Sequence, residues 1–163
     1  MVTNRDLPSE SPVRVQAIHI APASRLPMQA VESIVAETGR GLVGDRYHGH
    51  RERHVSIQSA TQLDAAAELL GSDIDPAGTR RNITISGGAI PFEQGRRITV
   101  GPVEMEVFRM AAPCRLLDDE IGAGAAQALR RRAGSVFRVL RGGTIRVGDP
   151  VDLDPLIARP MGD

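Results

Sequence analysis

The chain has 163 residues, 41% of them hydrophobic, with 20 basic and 20 acidic side chains and a formal net charge of zero. That length and apolar content can build a packed core, and the charge balance excludes the basic excess of a non-specific nucleic-acid binder. All basic side chains are arginine and Cys114 is the only cysteine, which excludes lysine-bound pyridoxal phosphate, a P-loop lysine, an internal disulfide and a four-cysteine cluster.

Residues 1–12 read as a loose, polar tail without the apolar segment of a secretory signal. No apolar run approaches the roughly 18 residues that span a bilayer, so a cytoplasmic protein that binds no membrane is expected. Alternation predicts a strand over 13–20, with Val13, Val15, Ala17 and His19 on one face. Strands follow over 31–37, 54–58 and 83–86, the last ending at the Gly87 and Gly88 turn signal. A helix is predicted over 59–70, where Leu63, Ala66, Ala67 and Leu70 recur at helical spacing. Ser59 or Thr61 can cap it and Gly71 stops it. Residues 97–100 and 103–110 flank Gly101 and Pro102 as a hairpin. A second helix is expected over 123–132, ending in cationic residues that suit the helix dipole. Strands 136–140 and 144–147 flank Gly142 and Gly143, a second hairpin signal. Residues 151–153 form a last strand and 154–163 a second tail. The pattern predicts a mainly β fold over 13–153: a closed or nearly closed, mostly antiparallel barrel with two or more short helices.

Four stretches can carry chemistry. The first, 39–50, reads GRGLVGDRYHGH. Its glycines permit close backbone approach, and its amides with Arg46 can meet an anion; an ordinary glycine-rich turn explains the same composition. His48, His50 and His54 suggest a metal, but no acidic or cysteine partner stands at a zinc spacing. The second, 80–86, reads RRNITIS, two arginines and an asparagine at the mouth of an apolar strand. The third, 112–120, reads APCRLLDDE. Pro113 stiffens the approach to Cys114, and Arg115 favours its thiolate; the plain alternative is a buried structural cysteine. Asp118, Asp119 and Glu120 read as a helix start. In the fourth, 136–152, Arg138 and Arg141 either face a site or mark a plain barrel edge. Four aromatic side chains in the whole chain are too few for a core and a base-stacking platform together.

These stretches, in this order, resemble the MOSC domain, the C-terminal domain of molybdenum cofactor sulfurases and its stand-alone bacterial relatives. The likeness rests on Gly41–Gly49 with GDRYHG at its heart, Arg81 and Asn82 before an apolar strand, Pro113 and Cys114, and the closing Gly142, Gly143, Val147, Gly148 and Asp149. It covers roughly 13–153. It implies a barrel similar to the pyruvate-kinase insert and a molybdopterin cofactor, with Cys114 as thiolate ligand to molybdenum. It also implies reduction of small N-hydroxylated compounds, with electrons from a separate donor protein, and it allows a homo-oligomer. Carried over residue by residue, Cys114, Asp45 and His48 fall in the catalytic set, and Gly44, Arg46, Arg81, Asn82 and Arg115 among the cofactor contacts. Arg115 stands where many stand-alone members have a bulkier aromatic, which leaves the substrate open. Two other readings remain: a sulfur carrier or cofactor-delivery module using a Cys114 persulfide, and a non-catalytic barrel in which Cys114 is buried.

Overall fold

Val103, Met105 and Val107 alternate inward along β8 (Val103–Met110) and are fully buried, while Glu104 and Glu106 point outward. This period-two burial is what a half-solvated strand requires, and β7 (Arg97–Val100) joins β8 through the predicted turn at Gly101 and Pro102. The computed structural model describes residues 12–113 and 116–155. Cys114, Arg115 and nearly all of the two expected tails lie outside the described residues.

The other elements, in chain order, are β1 (Val15–Ile20), β2 (Gln29–Val31), β3 (Ser33–Glu37), β4 (Gly41–Leu42), β5 (Val55–Ser59), α1 (Ala60–Leu70), a 3-10 turn (Pro76–Thr79), β6 (Ile83–Ile85), α2 (Leu116–Glu120), α3 (Ala125–Ala128), β9 (Ser135–Arg141), β10 (Gly143–Arg146) and β11 (Val151–Asp152). Among the described residues the strands form an eight-stranded sheet, in the order β11-β7-β8-β9-β5-β6-β1-β2, and a three-stranded sheet, β10-β3-β4. Most pairs are antiparallel. The exception is β5 with β6, a parallel pair connected through α1, as parallel neighbours need a crossover.

The expected barrel is not formed: neither sheet closes on itself. The end strands β11 and β2 pair only with β7 and β1. The start of β1 meets the chain before β11 through one isolated bridge, Arg14 to Pro150, and flanking backbone bonds. Pro150 has no N–H to continue a ladder there.

Three local expectations also change. Gly142 and Gly143 do not turn a hairpin, because β9 pairs with β8 and β5 while β10 pairs with β3 in the other sheet. Gly142 instead lets the chain pass between sheets: a Cβ there would collide with the Ala36 carbonyl oxygen, and its N–H donates to Thr38 Oγ1 at 2.8 Å. In β1 a register shift between Val15 and Ala17 breaks the simple alternation, so Val15 and Ile18 both face the core; a bulge of this kind flips the phase of the residues after it. The second helix is reduced to α3. Asp118 in α2 accepts the Ala126 N–H at 2.9 Å, so the acidic run serves the start of the next helix.

Two cores result. One lies between the sheets, around Ile18, Leu42, Ile57, Ile98, Phe137 and Ile145. The smaller joins Leu63 and Ala66 of α1 to Leu117, Ala125 and Leu129. The chain segments that link these two cores carry the site.

Candidate functional site: an arginine-lined cleft

The loop after β4 turns at Gly44, whose φ of +91° is a left-handed conformation that favours glycine. Asp45 follows and is buried. Its Oδ1 accepts the Ala21 N–H at 3.1 Å and Arg46 Nη1 at 3.3 Å, and its Oδ2 accepts the Tyr47 N–H at 3.2 Å. The carboxylate thus holds the loop against β1 and aims Arg46. The Arg46 side chain is 8% exposed, and its Nη2 donates to the Arg80 carbonyl at 3.3 Å. The guanidinium carbons of Arg46 and Arg53 stand 4.6 and 4.2 Å from the Tyr47 ring centroid, cation–π distances.

Arg80 ends the 3-10 turn at φ +64°. It is 9% exposed, and its Nη2 is buried without a hydrogen-bond partner among the described residues. Arg81, 7% exposed, reaches the other way. Its Nε donates to the Ala133 carbonyl at 2.9 Å and its Nη2 to the Ala112 carbonyl at 3.5 Å. Arg46, Arg53, Arg80, Arg81 and Arg109, with Tyr47 and Thr79, line a cleft of about 360 Å³, within the size range of small-molecule sites. No carboxylate is among the described residues lining it. Ala112 and Leu117 line it as well; in sequence they stand on either side of Cys114 and Arg115.

Of the residues singled out in sequence, Arg46 and Arg81 therefore meet in one cleft. Asp45 and Gly44 shape the loop behind Arg46. Asn82 is buried away from the cleft. Its Oδ1 accepts the Ser56 N–H at 3.0 Å and its Nδ2 donates to the His19 carbonyl at 3.1 Å, which ties β5 to β1. His48 lies outside the cleft, with Nε2 2.6 Å from Glu37 Oε1 on β3. His50 Nδ1 accepts the N–H groups of Glu52 and Arg53. His54 donates from Nε2 to the His50 carbonyl at 2.8 Å and accepts the Val139 N–H at Nδ1 at 3.0 Å. Both its nitrogens are committed as a neutral ring, and burial lowers its pKa. Burial likewise lowers that of His19, against a smaller opposing effect of Asp75. The three histidines form no metal cluster among the described residues. Arg138 and Arg141 lie on β9 opposite Glu106 and Glu104 of β8, outside the cleft.

Sequence reasoning passed over Arg53 and Arg109, and took Arg80 and Tyr47 only as parts of the RRNITIS and GDRYHG stretches. Arg80 stands beside Arg81 in the same motif. Arg109 continues the parity of buried Val103, Met105 and Val107 in sequence, but a register shift between Val107 and Arg109 breaks the phase and leaves Arg109 exposed.

The sequence profile of the MOSC domain matches residues 44–152. The fold is similar to that of the YUAD protein from Bacillus subtilis, with a TM-score of 0.75 at 18% identity over 86% of this chain and 94% of that one. YiiM from Geobacillus stearothermophilus gives 0.67 at 16% identity over 87% and 75%. YiiM from Escherichia coli gives 0.61 at 20% over 87% and 68%. No curated protein matches the chain in sequence. Among the described residues no helix is long and apolar enough to cross a membrane. The chain belongs to the MOSC domain family.

Proposed function

From that membership we propose that the arginine-lined cleft takes the anionic end of a molybdopterin cofactor, and that the protein reduces N-hydroxylated compounds with Cys114 supplying a thiolate for molybdenum. The observation that carries the reading is Arg80 Nη2, buried at the cleft without a partner among the described residues. An unpaired buried donor costs free energy in the empty protein, and a phosphate oxygen is the acceptor it lacks. The donor set fits such a group: arginine forks bind phosphate bidentately, and although Asp45 engages Arg46 Nη1 from behind, no carboxylate is among the described residues that line the cleft. A thiolate also suits a soft metal.

When bound, the cofactor supplies the two-electron chemistry at its metal. The net reaction takes an N–OH group, two electrons and two protons to N–H and water, breaking the N–O bond. The electrons come from a separate donor protein in the cytoplasm, where a lone cysteine stays reduced. The chain's own residues bind and orient. Arg46 and Arg80 hold the anion, Asp45 fixes Arg46, and Arg81 fixes the Ala112 carbonyl two residues before Cys114.

The test is metal analysis with pterin fluorescence on protein purified from a host that makes the cofactor. Near-stoichiometric molybdenum and pterin are expected, with molybdenum lost in Cys114→Ser and both reduced in Arg80→Gln. Protein free of both in the wild type overturns the reading. If that protein instead carries a reductant-sensitive adduct of about 32 Da on Cys114, one sulfur atom, sulfur carriage takes its place.

A further inference from the structure

Ala111 and Ala112 have the cleft on one side and a second depression on the other. That depression, about 620 Å³, is lined by the 110–113 segment and by Ala126, Gln127, Arg130 and Arg131. It continues past Met110 and Arg131 into a hollow of about 500 Å³ beside Ile90 and the exposed ring of Phe92. The shared wall is held in place: the Ala111 N–H donates to the Gly134 carbonyl at 2.9 Å, and Arg81 reaches the Ala112 carbonyl.

The two depressions differ in chemistry. The cleft is lined by five guanidinium groups, while the groove's lining is mostly apolar, with Gln127, Arg130 and Arg131 as its polar members. No carboxylate is among the described residues that line the groove, and Arg130 and Arg131 make no ion pair among the described residues. Arg131 is also held at φ +64°, a left-handed conformation that costs a non-glycine residue energy and tends to mark functional positions.

We propose that this groove binds the ring of a small aromatic carboxylate, with its carboxylate on Arg131 and Arg130. Resting on the proposed reductase activity, this names the substrate class: an N-hydroxylated aromatic acid whose ring lies against Met110 and the 111–113 wall. The volume falls in the range of small-ligand sites. The apolar lining supplies burial of a ring, and a guanidinium fork matches a carboxylate in shape and charge.

The test needs neither cofactor nor turnover. Binding of 2-naphthoate and of its neutral isostere 2-naphthamide is measured by calorimetry on the purified full chain. Naphthoate is expected to bind at least about tenfold tighter than naphthamide, the factor expected from one charge-assisted contact. Arg131→Gln should erase that preference, Met110→Asp should weaken both ligands, and Arg138→Gln on the outer sheet face should change neither. Equal binding of the two ligands overturns the proposal. So does a naphthoate preference that survives Arg131→Gln but disappears in Arg80→Gln, since the anion then sits in the cleft. Binding of a poly-glutamate peptide with no naphthoate binding also overturns it, in favour of an acidic protein partner. The outcome is independent of the metal analysis: naphthoate binding in protein that never holds molybdenum keeps the groove and removes the reductase reading.

Discussion

The molecule uses arginine in two ways, and the contrast lies across the β8–β9 pair. On the outer face of the sheet, Arg97 pairs with Glu104 at 3.0 Å and Arg138 pairs with Glu106; these arginines are 58% and 41% exposed in their side chains. Each cation has a carboxylate opposite it on the neighbouring strand. In the cleft, Arg80 and Arg81 are 9% and 7% exposed; Arg46 divides its bonds between the Asp45 carboxylate and the Arg80 carbonyl, and Arg81 donates to the Ala133 and Ala112 carbonyls. A carbonyl satisfies a guanidinium N–H without cancelling its charge. The sheet-face pairs are solvated cation–carboxylate contacts, whereas the cleft gathers five guanidinium groups in one place, two of them, on Arg80 and Arg81, largely withdrawn from water, where charge interactions are screened less. A net charge of zero hides this, because total charge is a sum and a site is a local excess.

The largest test of the contrast is Arg81→Ala. It deletes the donors to Ala133 and Ala112, leaving two carbonyls beside a buried void. A loss of about 2–4 kcal/mol is expected, the range for breaking a buried charged hydrogen-bond network. Urea unfolding at neutral pH measures it. Arg81→Lys should recover only part of the loss, since an ammonium cannot fork between two carbonyls. A loss under about 0.5 kcal/mol, typical of surface changes, would put Arg81 with the sheet-face arginines.

The next effect is in pH dependence. His54, locked between His50 and Val139, and His19 both have pKa values lowered from the ordinary 6.5, chiefly by burial. The unfolded chain then binds protons that the folded one refuses. The stabilisation is complete above pH 6.5 and is lost as pH falls from there toward the lowered folded values. Unfolding midpoints from about pH 8 to about pH 5.5, a window centred near the ordinary imidazole value, should fall on the acid side. The slope should be shallower in His54→Gln. An unchanged slope in that variant would show that the buried ring takes up protons as freely as an exposed one.

The strands of β8 and the turn at Gly101 and Pro102 were legible because one residue pattern, alternation broken by turn formers, has one meaning there. The same reasoning went astray at Gly142 and Gly143. Two glycines between apolar runs signal a hairpin only if the runs pair with each other, and pairing partners are a tertiary fact. The closed barrel failed for the same reason: strand number is readable, but whether the last strand finds the first is not. In the site, Arg46 and Arg81 were legible as charges beside glycine or at a strand mouth. The meeting of Arg53, Arg80 and Arg109 with them was not, because 56 residues' difference in number between Arg53 and Arg109 says nothing about distance in space. His48 fell outside the cleft because Glu37, an ordinary strand-end residue in sequence, takes its ring.

Within the cleft, Arg80→Gln should separate binding from architecture. Arg80 Nη2 has no partner among the described residues to lose, so stability should change by less than about 1 kcal/mol or rise slightly, as when a buried unsatisfied donor is removed. What should disappear is protection by anions. Inorganic phosphate that binds the folded cleft raises the melting temperature of the wild type by mass action, and Arg80→Gln should blunt that rise. A full phosphate response in the variant would move the anion away from Arg80.

The smallest effect is expected on the sheet face, and its smallness is the point. Arg138→Gln removes a cross-strand ion pair whose arginine is 41% exposed. Such pairs contribute about 0–1 kcal/mol, because water already solvates both ends. The change in unfolding free energy should stay in that range and shrink in about 1 M salt, where the Debye length falls to about 3 Å. Arg81→Ala, which removes a buried guanidinium bonded to the Ala133 carbonyl, should keep most of its cost in the same salt. If the two variants instead lost equal stability with equal salt dependence, burial would not distinguish the two groups of arginines.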